Sequence, residues 1–329
     1  MPDRFRVLIA DFLDETEVEA PILADIADVV LARGWSEADL LGHVGAADAM
    51  ILYHDIPRVG PATFDRAGKM LGLVRAGVGY NNVDLIAATE RGIVVCNVPD
   101  YGTEEVADHA IALLLAVARQ LRQGDEAIRQ GIWDFRTVTE TPRLRGKTLG
   151  IVGCGRIGTA TALRAKVFGL DVVFYDPFVP PGYDKAIGVR RAETLDSLLE
   201  QSRFVSIHCY LDAGTQHLID ARAIAKMPRG SILVNTARGG VVSGEAVIAA
   251  LDSGHLLGAG LDVFEREPLD DDRLRHHPKV VHSPHSAFYS REAFIELRTK
   301  SAEEVRRLLR GEPLRCPVNA DQIVHRRGK

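Results

Sequence analysis

The 329 residues, 46% hydrophobic and 26% charged, describe an ordinary globular chain long enough for two domains with separate cores, and exclude a disordered or fibrous protein. A formal net charge of −5 and a pI near 6.1 provide no basic field for nucleic acid or an anionic membrane. The longest purely apolar run, AIALLLAVA at 110–118, is too short to span a bilayer, the start MPDRFRVLIADF lacks the apolar core of a secretion signal, and Cys96, Cys154, Cys209 and Cys316 are scattered without CxxC spacing, so reduced thiols in the cytoplasm are expected.

From the N-terminus, short runs rich in Val, Ile and Leu (RVLIA, AMILY, LGLVRAG, IVVCNV) alternate with longer segments of helical pattern. That is the signature of βαβ units, and the first hundred residues read as a small parallel-sheet domain. A helix is predicted from about Glu104 to Leu121, with Thr103 as its N-cap and Glu104 and Glu105 in the positive first turn. Its nearly all-round apolar surface predicts burial between layers. A second alternation follows, with LGIVG, DVVFYD, FVSIHC, SILVNTA, GAGLDVF and KVVHS as six candidate strands, which describes a doubly wound sheet. The last helical pattern, near Glu292 to Arg310, sets Phe294, Leu297, Val305, Leu308 and Leu309 on one apolar side, and periodicity leaves open which domain it covers. The basic end HRRGK reads as a solvated tail.

LGIVGCGRIG places Gly153, Gly155 and Gly158 in GxGxxG spacing, directly after an apolar strand and before the helix-like TATALRAKVFG. Alone the motif is weak. In this position the glycines allow a tight turn and a close approach of backbone to pyrophosphate, whose charge meets the helix N-terminus. The next strand ends in Asp176, eighteen positions after Gly158, where a carboxylate accepts the ribose hydroxyls of NAD and repels the extra phosphate of NADP. The plainer alternative is an ordinary strand-to-helix turn, with Asp176 a turn residue before Pro177.

Unusual polar residues gather at the predicted carboxyl ends of the later strands: Arg238 in LVNTARGG, Asp262 and Glu267 in LDVFEREP, and His285 after VVHSP. Hydride transfer to a 2-keto acid needs a cation for the substrate oxygens, a proton donor, and an anion that holds the donor charged and aimed. Arg238, His285 and Glu267 are the right three types, although each taken alone also fits a surface or loop role. The stretch HHPKVVHSPHSAFYS adds His276, His277 and His282, and its density of histidines raises the alternative of a metal site.

The run RAGVGYNNVD, GCGRIG, NTARGG, LDVFEREP and SPHSAFYS resembles the D-isomer-specific 2-hydroxyacid dehydrogenase family over nearly the whole chain. LYHD, LRAKVFGLDVVFYDP, NTARGG and PHSAFYS are similar to its C-terminal binding protein-like branch, the dehydrogenase-like corepressors. Phe288 stands where that branch has Trp, and the chain stops soon after CPVNADQIVHRRGK without that branch's extended tail. The resemblance implies that Arg238 binds substrate, that His285 is the acid and base, and that Glu267 pairs with it. It assigns Arg75, with the backbone around Gly77 and Val78, to the substrate carboxylate, and Tyr53, His54 and Phe288 to the substrate pocket. Cofactor contacts are implied for Val78, Gly153, Gly155, Arg156, Ile157, Gly158, Asp176, Cys209, Thr215, Thr236, Ala237, Arg238, Asp262 and His285. His276, His277 and His282 become bystanders, with no metal. A homodimer through the cofactor domains is also implied.

The expected fold is α/β with two doubly wound parallel-sheet domains. With the last helix returning to the N-terminal domain, as the resemblance implies, a smaller flavodoxin-like substrate-binding domain is expected to take residues 1–101 plus 292–329 and a Rossmann NAD-binding domain 102–291, with the active site expected in the crevice between them. The expected function is NAD-dependent interconversion of a 2-keto acid and its D-2-hydroxy acid. The alternatives are an NADH-sensing interaction protein of the corepressor type and phosphite oxidation; Tyr53 and His54, in place of a lysine on the pocket wall, speak against the latter. Tyr53, Tyr101 and Phe288 favour an apolar or aromatic side group on the substrate.

Overall fold

The computed structural model describes residues 4–327, and the chain divides into two compact units, Met1–Gly102 with Ser290–Lys329, and Thr103–Tyr289. The first unit is built on a five-stranded parallel sheet of β1 (Phe5–Asp11), β2 (Ala27–Arg33), β3 (Ala49–Leu52), β4 (Gly72–Arg75) and β5 (Val94–Asn97), in the order β2-β1-β3-β4-β5. Four of these strands are the predicted apolar runs. β2 is an additional strand: at the sheet edge its ADVVLAR sequence is only partly buried, so it lacks the continuous apolar run that marks a central parallel strand. Register aligns Ala10 with Leu52, Leu52 with Arg75, and Arg75 with Asn97. The carboxyl ends of β1, β3, β4 and β5 therefore finish in one row, and the residues just past them share one edge.

Leu8, Met50, Leu52, Leu73 and Val95 belong to the core of this unit with Phe64 and Met70. The long helix Arg291–Arg310 packs on β3 and β4 and against the short helix Glu19–Leu23. It begins one residue before the predicted start, capped by the Ser290 hydroxyl, which accepts from Ala293 N–H, and stops at Gly311 in the left-handed region. Leu297, Val305, Leu308 and Leu309 are buried as its periodicity predicts.

The second unit carries seven parallel strands: β6 (Thr148–Val152), β7 (Asp171–Tyr175), β8 (Arg190–Arg191), β9 (Phe204–Ile207), β10 (Ser231–Asn235), β11 (Leu256–Leu261) and β12 (Val280–His282). Their order, β12-β11-β10-β9-β6-β7-β8, contains the six predicted strands and one more. β8 is two arginines at the sheet edge, with no apolar signal. Strand order reverses beside β6, so the loop after β6 opens at the switch point where α/β sheets bind ligands.

The predicted helix through Leu121 is two helices. The first, Thr103–Ala118, is buried against β10, β11 and the helix Arg156–Val167, with Thr103 as its first helical residue rather than its cap. Gln120 then adopts φ +51°, and a second helix, Leu121–Arg129, starts in a new direction. Apolar periodicity continues across the break because it registers side chains and is blind to one left-handed backbone residue.

Candidate active site

The glycine loop sits at the carboxyl end of β6. Gly153 has φ +87°, and a Cβ there would stand 2.6 Å from the Cys209 backbone nitrogen. A Cβ on Gly158 would stand 2.0 Å from the Gly153 carbonyl oxygen, so this glycine lets the helix Arg156–Val167 start directly on the turn. Gly155 differs: a Cβ there would meet no atom within 4 Å, so packing does not explain the glycine. It leaves open space at a helix N-terminus that has no capping side chain. The Thr236 hydroxyl is buried with no hydrogen-bond partner among the described residues. An open cradle of N–H groups and an unpartnered hydroxyl fit a dinucleotide with its pyrophosphate on Gly155, Arg156 and Ile157.

Asp176 follows β7 and leans over this loop. Its carboxylate accepts from Cys154 N–H at 2.8 Å and from Phe178 N–H at 2.9 Å, which leaves acceptor capacity for hydroxyl groups. Fifteen residues on, Arg191 donates to the Asp176 carbonyl at 3.2 Å and to the carbonyls of Val179 and Pro180, with its guanidinium over the Phe174 ring. An arginine absent from the local sequence is thus present in space, with its N–H groups directed at carbonyl oxygens. Burial pushes the Cys209 thiol up to about 11, so it is a neutral wall rather than a nucleophile. The Thr215 hydroxyl is held in the turn Tyr210–Thr215, donating to the Tyr210 carbonyl at 2.8 Å.

His285 and Glu267 lie in the loops after β12 and β11. His285 Nδ1 is 2.7 Å from Glu267 Oε2, and Glu267 Oε1 accepts from Phe264 N–H at 2.9 Å. Burial works to raise the Glu267 carboxyl, but the hydrogen bond and charge of His285, the Phe264 N–H and the charge of Arg238 together hold it below the ordinary carboxylate value. His285 itself has φ +50°, an uncommon conformation for a residue with a Cβ. Asp262 imposes it. Its carbonyl accepts from His285 N–H at 2.8 Å, and its carboxylate, 1% exposed, accepts from Ser283 Oγ, Ser286 N–H and Ala287 N–H. His109 Nε2 lies 2.7 Å from Ser283 Oγ and extends the same network. The Asp262 carboxylate thus holds the His285 turn.

Arg238 is brought to this pair by backbone contact. A Cβ on Gly239 would stand 1.8 Å from the Phe264 carbonyl carbon, so ARGG can lie against the loop that carries Glu267 only with glycine at that position. Asn235 shapes the turn, accepting from Ala237 N–H and donating to the Arg238 carbonyl, both at 3.0 Å. The Arg238 guanidinium donates to the Ala237 carbonyl at 2.7 Å.

In the other unit, Arg75 ends β4 and is 7% exposed. It donates from Nε to Asn82 Oδ1 at 3.3 Å, and a Cβ on Gly77 would stand 1.8 Å from its Nη1. Gly77, at φ +144°, is needed both for this approach and for its own backbone. The Val78 carbonyl accepts from Asn97 Nδ2 at 2.7 Å. Past β3, Tyr53 is buried, with Phe12 between it and His54 at ring separations of 5.1 and 5.8 Å. His54 Nε2 is 3.2 Å from Asp55. Phe288, in the Rossmann-type unit, meets His285 edge-on at 6.5 Å.

The remaining histidines of HHPKVVHSPHSAFYS have separate partners. His276 faces Asp272, His277 is 3.4 Å from Asp252, and His282 meets the Leu274 carbonyl at 2.9 Å, with burial pushing its imidazole value down. Among the described residues no group of three His, Cys, Asp or Glu side chains could hold a metal ion. Residues that the sequence reading passed over are His109, Asn235 and Ser283 here, and Asp11 and Asn82 in the first unit. Each acts by hydrogen-bonding a neighbour's backbone or side chain, which leaves no motif.

Residues 111–287 match the family described as D-isomer specific 2-hydroxyacid dehydrogenase, NAD binding domain. The D-3-phosphoglycerate dehydrogenase of Mycobacterium leprae is 40% identical over 315 residues, 96% of this chain and 59% of that protein. That of Methanocaldococcus jannaschii is 36% identical over 318 residues, 97% of this chain and 60% of that protein. The chain thus spans about 60% of the length of these relatives. A solved glyoxylate reductase from Paecilomyes thermophila superposes with a TM-score of 0.88 at 29% identity, over 98% of this chain and 100% of that one. In the described residues no helix is long and apolar enough to cross a membrane.

Proposed function

The chain belongs to the D-isomer-specific 2-hydroxyacid dehydrogenase family, and from that premise we propose that it interconverts a 2-keto acid and its D-2-hydroxy acid with NAD. The observation that carries this reading is the 2.7 Å His285–Glu267 pair, set beside Arg238 in the same unit as the glycine loop. Bound NAD supplies or accepts the hydride at the substrate's C2. Glu267, held ionised, takes the Nδ1 proton of His285 in a hydrogen bond, so the proton exchanged with the substrate oxygen is the one on Nε2. Arg238 stabilises negative charge developing on that oxygen. Arg75 and the N–H groups of Gly77 and Val78 receive the carboxylate, with Tyr53 and His54 past β3 of the same unit for the side group, and Phe288 stands beside His285 in the NAD-binding unit. Turnover uses every member of the Arg238, Glu267 and His285 set. A corepressor-type role would need none of them, and no contact among the described residues favours it. We place the protein in the cytoplasm, where its four free cysteines stay reduced.

An oxidation screen of NADH and NADPH against a panel of 2-keto acids tests the reading. NADH should be preferred by on the order of tenfold or more in kcat/KM, because a 2′-phosphate at Asp176 meets a carboxylate and an arginine whose donors point at carbonyls. Equal or better turnover with NADPH contradicts that assignment, and no turnover of any keto acid contradicts the function.

We further propose a homodimer through the NAD-binding unit. Trp133 is 91% exposed and Phe135 82%, next to Leu121, Ile128 and Ile132 on or just after the helix Leu121–Arg129, an apolar surface that a second copy would cover. Light scattering should give a dimer for the parent and a monomer for Trp133→Asp combined with Phe135→Asp. A parent that is monomeric at micromolar concentration ends the proposal.

A further inference from the structure

Asp11 closes β1 in the row where β3 and β4 also end, and it is a carboxylate with 0% exposure. Its φ of +95° is strained for a residue with a Cβ. Oδ2 accepts from Ile56 N–H at 3.0 Å, while Oδ1 is buried with no hydrogen-bond partner among the described residues. The Ile56 carbonyl in turn accepts from Asn82 Nδ2 at 3.0 Å, as does the Tyr53 carbonyl, and Asn82 Oδ1 accepts from Arg75 Nε. A continuous frame runs from Asp11 through the Tyr53–Ile56 turn and Asn82 to the Arg75 guanidinium. Nothing in the chemistry proposed above uses the first member of this frame.

We propose that Asp11 is a positioning residue for anion binding: its carboxyl group fixes the turn that orients Asn82 and Arg75, and its ionisation weakens the pull of Arg75 on a substrate carboxylate. This rests on the reading of Arg75 as the carboxylate receptor. Burial, opposed by the N–H groups of Ile56 and Phe12 and reinforced by the charge of Asp55, moves the Asp11 carboxyl from 3.8 up to about 7, with Arg75 pulling the other way. The groups that act on it are therefore Asp55 and Tyr53 after β3 and Arg75 at the end of β4. Glu19 and Arg298 act on Tyr53 from the helices Glu19–Leu23 and Arg291–Arg310. At neutral pH the two charge states of Asp11 are both populated, so the affinity of the edge for an anion falls as pH rises.

The experiment measures oxamate, an unreactive 2-keto acid mimic, binding to the NADH-loaded protein from about pH 5.5 to about pH 8.5, for the parent, Asp11→Asn and Asp11→Ala. Asparagine keeps an acceptor for Ile56 N–H and removes the charge. The ratio of parent to Asp11→Asn dissociation constants should be near one at the acid end and grow to on the order of tenfold at the alkaline end, the effect of one charge near a bound anion. Taking the ratio cancels titration elsewhere in the site. Asp11→Ala should bind more weakly than Asp11→Asn at every pH, with the loss of keto-acid turnover falling on KM more than on kcat. Thermal unfolding without ligand gives a second readout. An acid raised on folding contributes its stability fully below 3.8 and loses it as pH climbs through about 7, so the Asp11→Asn melting temperature should pull ahead of the parent's across that window. A pH-independent ratio in a parent that does bind oxamate overturns the role of Asp11 alone. A parent that neither binds oxamate nor reduces any keto acid overturns the functional reading and this inference with it.

Discussion

Replacing His285 with glutamine should lower kcat for keto-acid reduction about 10²- to 10⁴-fold, the range for losing a positioned acid or base. Glutamine can still reach toward Glu267, so the fold and the Asp262 contacts to the turn remain, and the loss reports proton transfer rather than collapse. His276, His277 and His282 each have a partner of their own, and their replacement should leave kcat close to the parent's. Glu267→Gln removes a charge that favours imidazolium, so reduction should fall away at lower pH than in the parent. A metal centre would behave otherwise: several histidine substitutions and EDTA would each abolish turnover. Measuring kcat for the four single variants with and without EDTA decides the matter, and near-parental turnover by His285→Gln removes the assignment.

Arg238→Ala should reduce kcat/KM by about 2–5 kcal/mol, the usual loss on truncating one partner of a desolvated charged contact. The main-chain turn should survive, because Asn235 holds it through the Ala237 N–H and the Arg238 carbonyl, neither of which needs the guanidinium. NADH affinity by fluorescence titration should therefore stay near the parent's while keto-acid reduction collapses. Arg238→Lys restores a charge without the planar fork and should recover only part of the loss. If reduction barely changed in Arg238→Ala, substrate would have to be held elsewhere.

What the sequence made legible follows from which physical signals are local. Two parallel sheets are written in the Val, Ile and Leu runs, because strands buried on both faces must be apolar throughout. The edge strands β2 and β8 escape that rule, one half-exposed and the other two arginines, and so they were invisible. The glycine loop is readable because turn, strand and helix are contiguous. Arg238, Glu267 and His285 are readable as types suited to acid–base work, although nothing in their spacing reveals the 2.7 Å contact. Asp262 reads in sequence only as a strand-end carboxylate; the backbone N–H groups of Ser286 and Ala287 that converge on it are visible only in space. Asp11, Asn82 and Asn235 resemble ordinary loop polars until their partners, up to 45 residues away, are known.

The brace at Asp262 also bears on how this protein could change over evolutionary time. A left-handed histidine costs on the order of 1 kcal/mol or more, and a chain that had to assemble it anew at every encounter would tie its chemistry to the identity of the visitor. Here the conformation is held by contacts from Asp262 and Ser283 that lie wholly within one compact unit. The His285 turn is inherited ready-made. Substitutions elsewhere in this unit can then accumulate without disturbing the turn, provided that Asp262, Ser283 and the backbone they hold are kept.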